Sequence, residues 1–134
     1  MRVLVTSSAM AGHFGPLVPF IDALRGGGHD VLVVVPESAR AWAQSTGASV
    51  LVGGSADPDE VRELWLRFRK AEPSEASVIA NRQIFGRLNT AALLPSVERA
   101  AVAHRPELVL HEPTEYAGPV TALRCRSRRR RWPC

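Results

Sequence analysis

Arg2-Val3-Leu4-Val5-Thr6-Ser7-Ser8-Ala9-Met10-Ala11-Gly12-His13-Phe14-Gly15-Pro16 is the stretch whose reading decides the fold. Val3, Leu4 and Val5 make an apolar run without polar alternation, which suits a parallel strand covered on both faces. The run empties into a small-residue loop carrying one histidine, and a helix follows. Ligands of open α/β sheets sit at the carboxyl ends of the strands. His13 therefore stands where such a sheet does its chemistry.

Outward from this stretch, Leu17, Phe20, Ile21 and Leu24 recur at helical spacing over residues 16–25, and Pro16 suits a first turn. Gly26-Gly27-Gly28 ends that helix. Residues 30–35 supply Val31, Leu32, Val33, Val34 and Val35, the β-branched run of a central parallel strand. A helix begins at Pro36-Glu37-Ser38, runs through Ala39, Ala41, Trp42 and Ala43 to Gly47, and gives way to a short strand over residues 49–52. The β-α-β-α-β alternation predicts an α/β fold with a doubly wound parallel sheet and right-handed crossovers.

Residues 53–58 read as a surface loop. Val61, Leu64, Trp65 and Phe68 then fall at i, i+3, i+4 and i+7 within residues 59–70, one stripe of an amphipathic helix whose simplest role is packing. Further helical stretches are predicted over residues 77–92 and 95–103, with Pro95 as the interruption between them. Leu108-Val109-Leu110 is a fourth strand. His111-Glu112-Pro113-Thr114-Glu115-Tyr116 forms the loop at its carboxyl end, leading into a helix begun near Thr114. His13 and Glu112 are thus expected at strand ends on the same side of one sheet.

The length of 134 residues fits one domain, and 46% hydrophobic with 22% charged residues fits a soluble globular chain. No apolar run approaches the ~20 residues of a membrane span. The chain starts on its first strand rather than on a secretion leader, so a cytoplasmic location without membrane association is expected. The net charge of +4 is concentrated at one end. Arg124, Arg126, Arg128, Arg129, Arg130 and Arg131 are six of the 17 basic residues, which leaves residues 1–123 with 11 basic against 13 acidic groups. The body therefore offers no basic surface for nucleic acid, and only the tail would suit nucleic acid or acidic lipid. Cys125 and Cys134 lack a nearby histidine or second cysteine pair to complete a zinc site, so no metal is expected. An apolar fifth strand would be expected where this arginine-rich stretch stands. Back-translation in a neighbouring frame yields valine- and alanine-rich sequence, consistent with residues 124–134 being a disordered or out-of-frame tail.

His13 is flanked by Ser7, Ser8, Ala9, Ala11, Gly12 and Gly15, which leave room for a substrate hydroxyl beside an imidazole able to act as general base at neutral pH. Glu112 is placed to accept the other ring N–H and stabilise the charged ring. The plainer readings are a polar loop residue for His13 and a loop or helix-start carboxylate for Glu112. A dinucleotide site is disfavoured, because Gly12-His13-Phe14-Gly15 lacks the first glycine of Gly-x-Gly-x-x-Gly and carries two bulky side chains. There is no Gly-Lys-Ser or Gly-Lys-Thr of a P-loop. His29 reads as a helix-exit residue, and His104 as a helix-end cation favoured by the dipole. His111 neighbours Glu112, with a structural role as the plainer reading.

In order and spacing, Met1-Arg-Val-Leu-Val-Thr-Ser7, Ala11-Gly-His-Phe-Gly-Pro-Leu-Val-Pro19, Ala23-Leu-Arg-Gly-Gly-Gly-His-Asp-Val31 and Val34-Val-Pro36 resemble one known family. So does Arg105-Pro-Glu-Leu-Val-Leu-His-Glu-Pro-Thr-Glu-Tyr-Ala-Gly-Pro119. The blocks are similar to the amino-terminal half of the GT-B glycosyltransferases that decorate antibiotics and other natural products, relatives of the UDP-glucuronosyltransferases. The resemblance covers residues 1–123 and implies a Rossmann-like acceptor-binding domain. It implies that His13 deprotonates a hydroxyl of a small-molecule acceptor, which attacks a nucleotide-activated sugar with inversion, and that Glu112 orients His13, with Glu115 as a possible substitute. Gly12, Phe14, Trp65, Phe68, Ile84 and Phe85 are the implied acceptor contacts. No cofactor is expected on this chain; a nucleotide-diphosphate sugar is the implied co-substrate of full-length members, whose second Rossmann-like domain binds it. Nothing in these residues corresponds to that domain, so the chain is expected to be inactive without a separate donor-domain chain. The alternative is a non-catalytic module that binds an aglycone or a partner.

Overall fold

Strands β1 (Arg2–Thr6), β2 (Asp30–Pro36), β3 (Ser49–Gly53) and β4 (Leu108–His111) form one parallel sheet in the order β3-β2-β1-β4. The structure is a computed structural model that describes residues 1–127. Val3 pairs with Val31 on one side and Leu108 on the other, which makes β1 a central strand. The connections from β1 through β2 to β3 move one way across the sheet, and the next returns the chain to the far side of β1. The reversal opens a crevice between the carboxyl ends of β1 and β4, where an open α/β sheet takes its ligand.

Each face of the sheet is covered by helices, as the uninterrupted apolar strands require. On one face Val3, Val5, Val31, Val33 and Val35 pack against Phe14, Leu17, Ile21, Ala39 and Ala43. Those residues come from α1 (Ala11–Phe14), the 3-10 turn Gly15–Leu17, α2 (Val18–Gly26), the turn Glu37–Ala39 and α3 (Arg40–Ser45). On the other face Leu4 and Val34 meet Leu93, Val97, Ala100 and Ala101 of α6 (Thr90–His104) and Ala117 of α7 (Ala117–Ser127). Each fully buried valine or leucine contributes about 1.5–3 kcal/mol over its exposed state. These two faces hold the sheet rigid beneath the crevice.

His13 lies in a helical turn, not in the loop that its small neighbours suggest. The amides of His13 and Phe14 both donate to the carbonyl of Met10, at 2.9 and 3.0 Å. The side chain of Phe14, only 2% exposed, anchors this turn in the first core cluster. Pro16 and Pro19 fall at first-turn positions of the following segments, where a missing N–H costs least.

A third cluster stands beside the sheet. Leu64 of α4 (Pro58–Phe68) packs with Ile79, Ile84, Phe85 and Leu88, and Val61, Trp65 and Phe68 join it along the expected stripe. Asp57 caps α4, its side chain accepting from the amides of Asp59 and Glu60 at 2.8 and 3.1 Å. Ile79, Ile84, Phe85 and Leu88 belong to a π-helical stretch, Ile79–Asn89, that joins α5 (Pro73–Val78) end to end with α6. The break expected at Pro95 is absent, for Pro95 lies inside α6. Burial of Leu93 and Val97 on either side of the proline outweighs the backbone hydrogen bond that its ring removes.

Residues 124–127 complete α7, so the helix runs into the first part of the arginine-rich tail. The expectations for residues 128–134 lie outside the described residues. No described helix is long and apolar enough to cross a membrane.

Candidate functional site

The register of β1 on β4 sets Thr6 beside His111, so the chain segments leaving the two strands start as neighbours. Glu112 comes next after β4, and its carboxylate, 3% exposed, turns into the crevice. Its Oε2 lies 3.2 Å from His13 Nδ1. Thr114 stands closer to the ring, with Oγ1 2.6 Å from the same nitrogen. The hydroxyl of Thr114 is also 2.9 and 2.8 Å from the two carboxylate oxygens of Glu112.

Local sequence explains how Glu112 is held. Pro113 has a fixed φ and no N–H of its own, and across it the amide of Thr114 donates to Glu112 Oε2 at 2.7 Å. The amide of Ser8, just after β1, donates to Oε1 at 3.3 Å. Burial by itself pushes the carboxyl of Glu112 upward. The amide and hydroxyl of Thr114, the side chain of Ser8 and the nearby His13 together outweigh that effect and hold it below its ordinary value. Glu112 is therefore an anion at neutral pH, and the amides of Thr114 and Ser8 donate to it.

Glu115, three residues on, is turned to a different task. Its carboxylate accepts from the amides of Ala117 at 2.5 Å and Gly118 at 3.0 Å, and from the hydroxyl of Thr6. It thereby anchors the start of α7 to β1. Burial raises its carboxyl despite these bonds. A β-carbon on Gly118 would lie 2.4 Å from Thr6 Oγ1 and 2.9 Å from Glu115 Oε2, so only glycine lets helix and strand approach this closely. Glu112, and not Glu115, is the carboxylate on His13.

A cavity of about 490 Å³ opens at this end of the sheet, and the segments following all four strands line it. Ser8, Ala9 and Met10 follow β1, Glu37 and Ser38 follow β2, Gly54 and Ser55 follow β3, and Thr114 to Tyr116 follow β4. Val61, Trp65, Ile84, Phe85 and Leu93 supply the apolar wall, with Asn89 and Thr90 between them. Trp65 meets Phe85 edge-on at 6.2 Å between ring centroids. The imidazole of His13 lies 5.4 Å from Phe85, tilted by 35°. The imidazole of His13, not itself among the lining residues, thus stands against two wall residues, Phe85 and Thr114, of a cavity that suits a small, partly apolar molecule.

Of the expected contact residues, Trp65, Ile84 and Phe85 line this cavity. Phe14 does not, because its ring is spent in the core beneath α1. Phe68 packs edge-on against Trp65 at 5.0 Å, in the third cluster. Gly12 is exposed on α1, away from the cavity lining. His111 Nδ1 lies 3.0 Å from the carbonyl oxygen of Glu112, a local backbone contact. His29, 3.3 Å from the chain amino group, and His104, 3.9 Å from Asp30, sit at the amino ends of the strands. Thr114 and Ser8 are the contacts that inspection of the sequence missed. Thr114 had one available signal, the Glu-Pro-Thr spacing that folds an amide and a hydroxyl back on the preceding acid.

No protein-family model matches the chain. The L-demethylnoviosyl transferase of Streptomyces niveus is 34% identical over 124 residues, covering 91% of this chain and 31% of the relative. The TDP-daunosamine transferase DnrS of Streptomyces peucetius is 30% identical over 143 residues, covering 91% and 33%. Both of these relatives are transferases of Streptomyces species. The crystal structure of SsfS6, a glycosyltransferase of Streptomyces sp. SF2575, superposes with a TM-score of 0.76 at 27% identity, over 91% of this chain and 36% of that one. The fold is the Rossmann-like parallel sheet with flanking helices found in GT-B glycosyltransferases. The chain spans about a third of the length of the curated relatives it matches.

Proposed function

We propose that this chain forms the acceptor half of an inverting glycosyltransferase of natural-product biosynthesis. The observation that carries the reading is His13, held by Thr114 and Glu112 at 2.6 and 3.2 Å beside an aromatic-walled cavity at the switch point of the sheet. In this reading Nε2 of His13 takes the proton of an acceptor hydroxyl as its oxygen attacks the anomeric carbon of a nucleotide-diphosphate sugar. The new C–O bond forms from the face opposite the leaving group, the bond to the diphosphate breaks, and the nucleoside diphosphate departs with the electron pair. Glu112 stabilises the imidazolium that results. Trp65, Ile84 and Phe85 hold the apolar part of the acceptor.

The sugar donor needs a site of its own, which in this reading a donor domain supplies. The name of the relative from Streptomyces peucetius, a TDP-daunosamine transferase, supports a thymidine-diphosphate sugar as the donor class to try first. The test combines the purified chain with a separately produced donor domain and a panel of hydroxylated acceptors, with each polypeptide alone as control. Transfer with both polypeptides, lost with His13→Ala, is the expected result. Acceptor binding without turnover in any combination would replace this reading with that of a non-catalytic binding module.

A further inference from the structure

We infer that Thr114 is a positioning residue whose hydroxyl fixes the proton of His13 on Nδ1 and so leaves Nε2 as the free base. Thr114 Oγ1 carries one hydrogen and has three near neighbours: Oε1 and Oε2 of Glu112 at 2.9 and 2.8 Å, and His13 Nδ1 at 2.6 Å. Glu112 is ionised, so its oxygens only accept, and the hydroxyl hydrogen goes to the carboxylate. The lone pairs of Oγ1 then face Nδ1, which must donate. A bare Nδ1 would set its lone pair against Oγ1 and against Glu112 Oε2 at 3.2 Å.

The shorter of the two contacts to the ring belongs to the hydroxyl and not to the carboxylate. Glu112 already accepts from the amides of Thr114 and Ser8, which leaves the threonine to relay its charge to the imidazole. Thr114 also fits the cavity geometry, for it lines the wall while its hydroxyl reaches the ring. The positioning role in transfer rests on the reading of His13 as base; the tautomer does not.

Long-range proton–nitrogen NMR of the full chain, labelled with ¹⁵N-histidine and recorded at alkaline pH, reports the tautomer directly. The expected result is a protonated Nδ1 and an unprotonated Nε2 in the wild type, kept in Thr114→Ser and lost to a mixture of tautomers in Thr114→Val. A wild-type His13 protonated on Nε2 overturns the inference whether or not the valine variant folds. So does a folded Thr114→Val chain that keeps the wild-type tautomer, since Glu112 alone would then suffice. The Nδ1–H tautomer without turnover in the donor-domain experiment supports the inference and removes the catalytic reading instead.

Discussion

His13 and Glu112, 99 residues apart in sequence, meet at 3.2 Å across the crevice between β1 and β4. Neither residue is placed by its own segment alone. The turn anchored by Phe14 sets the imidazole, the Glu-Pro-Thr turn sets the carboxylate, and the pairing of β4 with β1 brings them together. The consequences are measurable.

His13→Ala in a protein supplied with a donor domain is expected to lower kcat by about 10²–10⁴-fold, the usual contribution of a positioned general base. The ring is 24% exposed, so the fold should survive its removal. Steady-state kinetics with circular dichroism checks both halves. A parental rate for His13→Ala would refute the base assignment.

The two buried carboxylates should leave opposite marks on stability against pH. Glu112 is held below its ordinary value of 4.5, so its contribution is full above that value and is lost as pH falls through the lower folded value. Glu115 is raised above 4.5, so its contribution is full below that value and is lost as pH rises through the higher folded value. Urea midpoints measured across this range should show a shallower acid limb for Glu112→Gln, and a smaller loss above 4.5 for Glu115→Gln.

Gly118→Ala is expected to destabilise the chain by about 1–3 kcal/mol, the typical cost of forcing extra volume into a packed site. The added methyl would meet Thr6 Oγ1 and Glu115 Oε2, and relief requires α7 to move off β1. Denaturant unfolding gives the value. An unchanged midpoint would mean that the helix start yields without cost.

Trp65→Ala should weaken binding of an apolar acceptor by about 1.5–3 kcal/mol, roughly 10- to 150-fold in Kd, through lost apolar contact. Phe68→Ala should affect stability more than affinity, because Phe68 packs edge-on against Trp65 in the third cluster and not on the cavity wall. Calorimetric titration of both variants separates wall from support.

Strand and helix identities were legible wherever burial follows a simple period. Val31 to Val35 read as a central strand because both faces of β2 are covered, and Val61, Leu64, Trp65 and Phe68 read as one helix face because α4 buries one side. The π-helical stretch Ile79–Asn89 was not legible, since its i→i+5 bonding follows the packing of Ile84, Phe85 and Leu88 against α4 and not a local preference. Pro95 misled for the same reason, as its local cost is overridden by the sheet beneath α6.

The amino-acid sequence by itself determined the doubly wound α/β class and the His13 and Glu112 positions at strand ends, because both follow from side-chain periodicity along single stretches of chain, whereas the cavity-wall residues were implied only by the family resemblance. Only the tertiary structure decided the strand order that makes β1 and β4 neighbours, the withdrawal of Phe14 into the core, the capping duty of Glu115 and the place of Thr114 between acid and ring. Those outcomes depend on which groups arrive within 3 Å or so of one another, and hydrogen bonds of that length are set by the packing of distant segments.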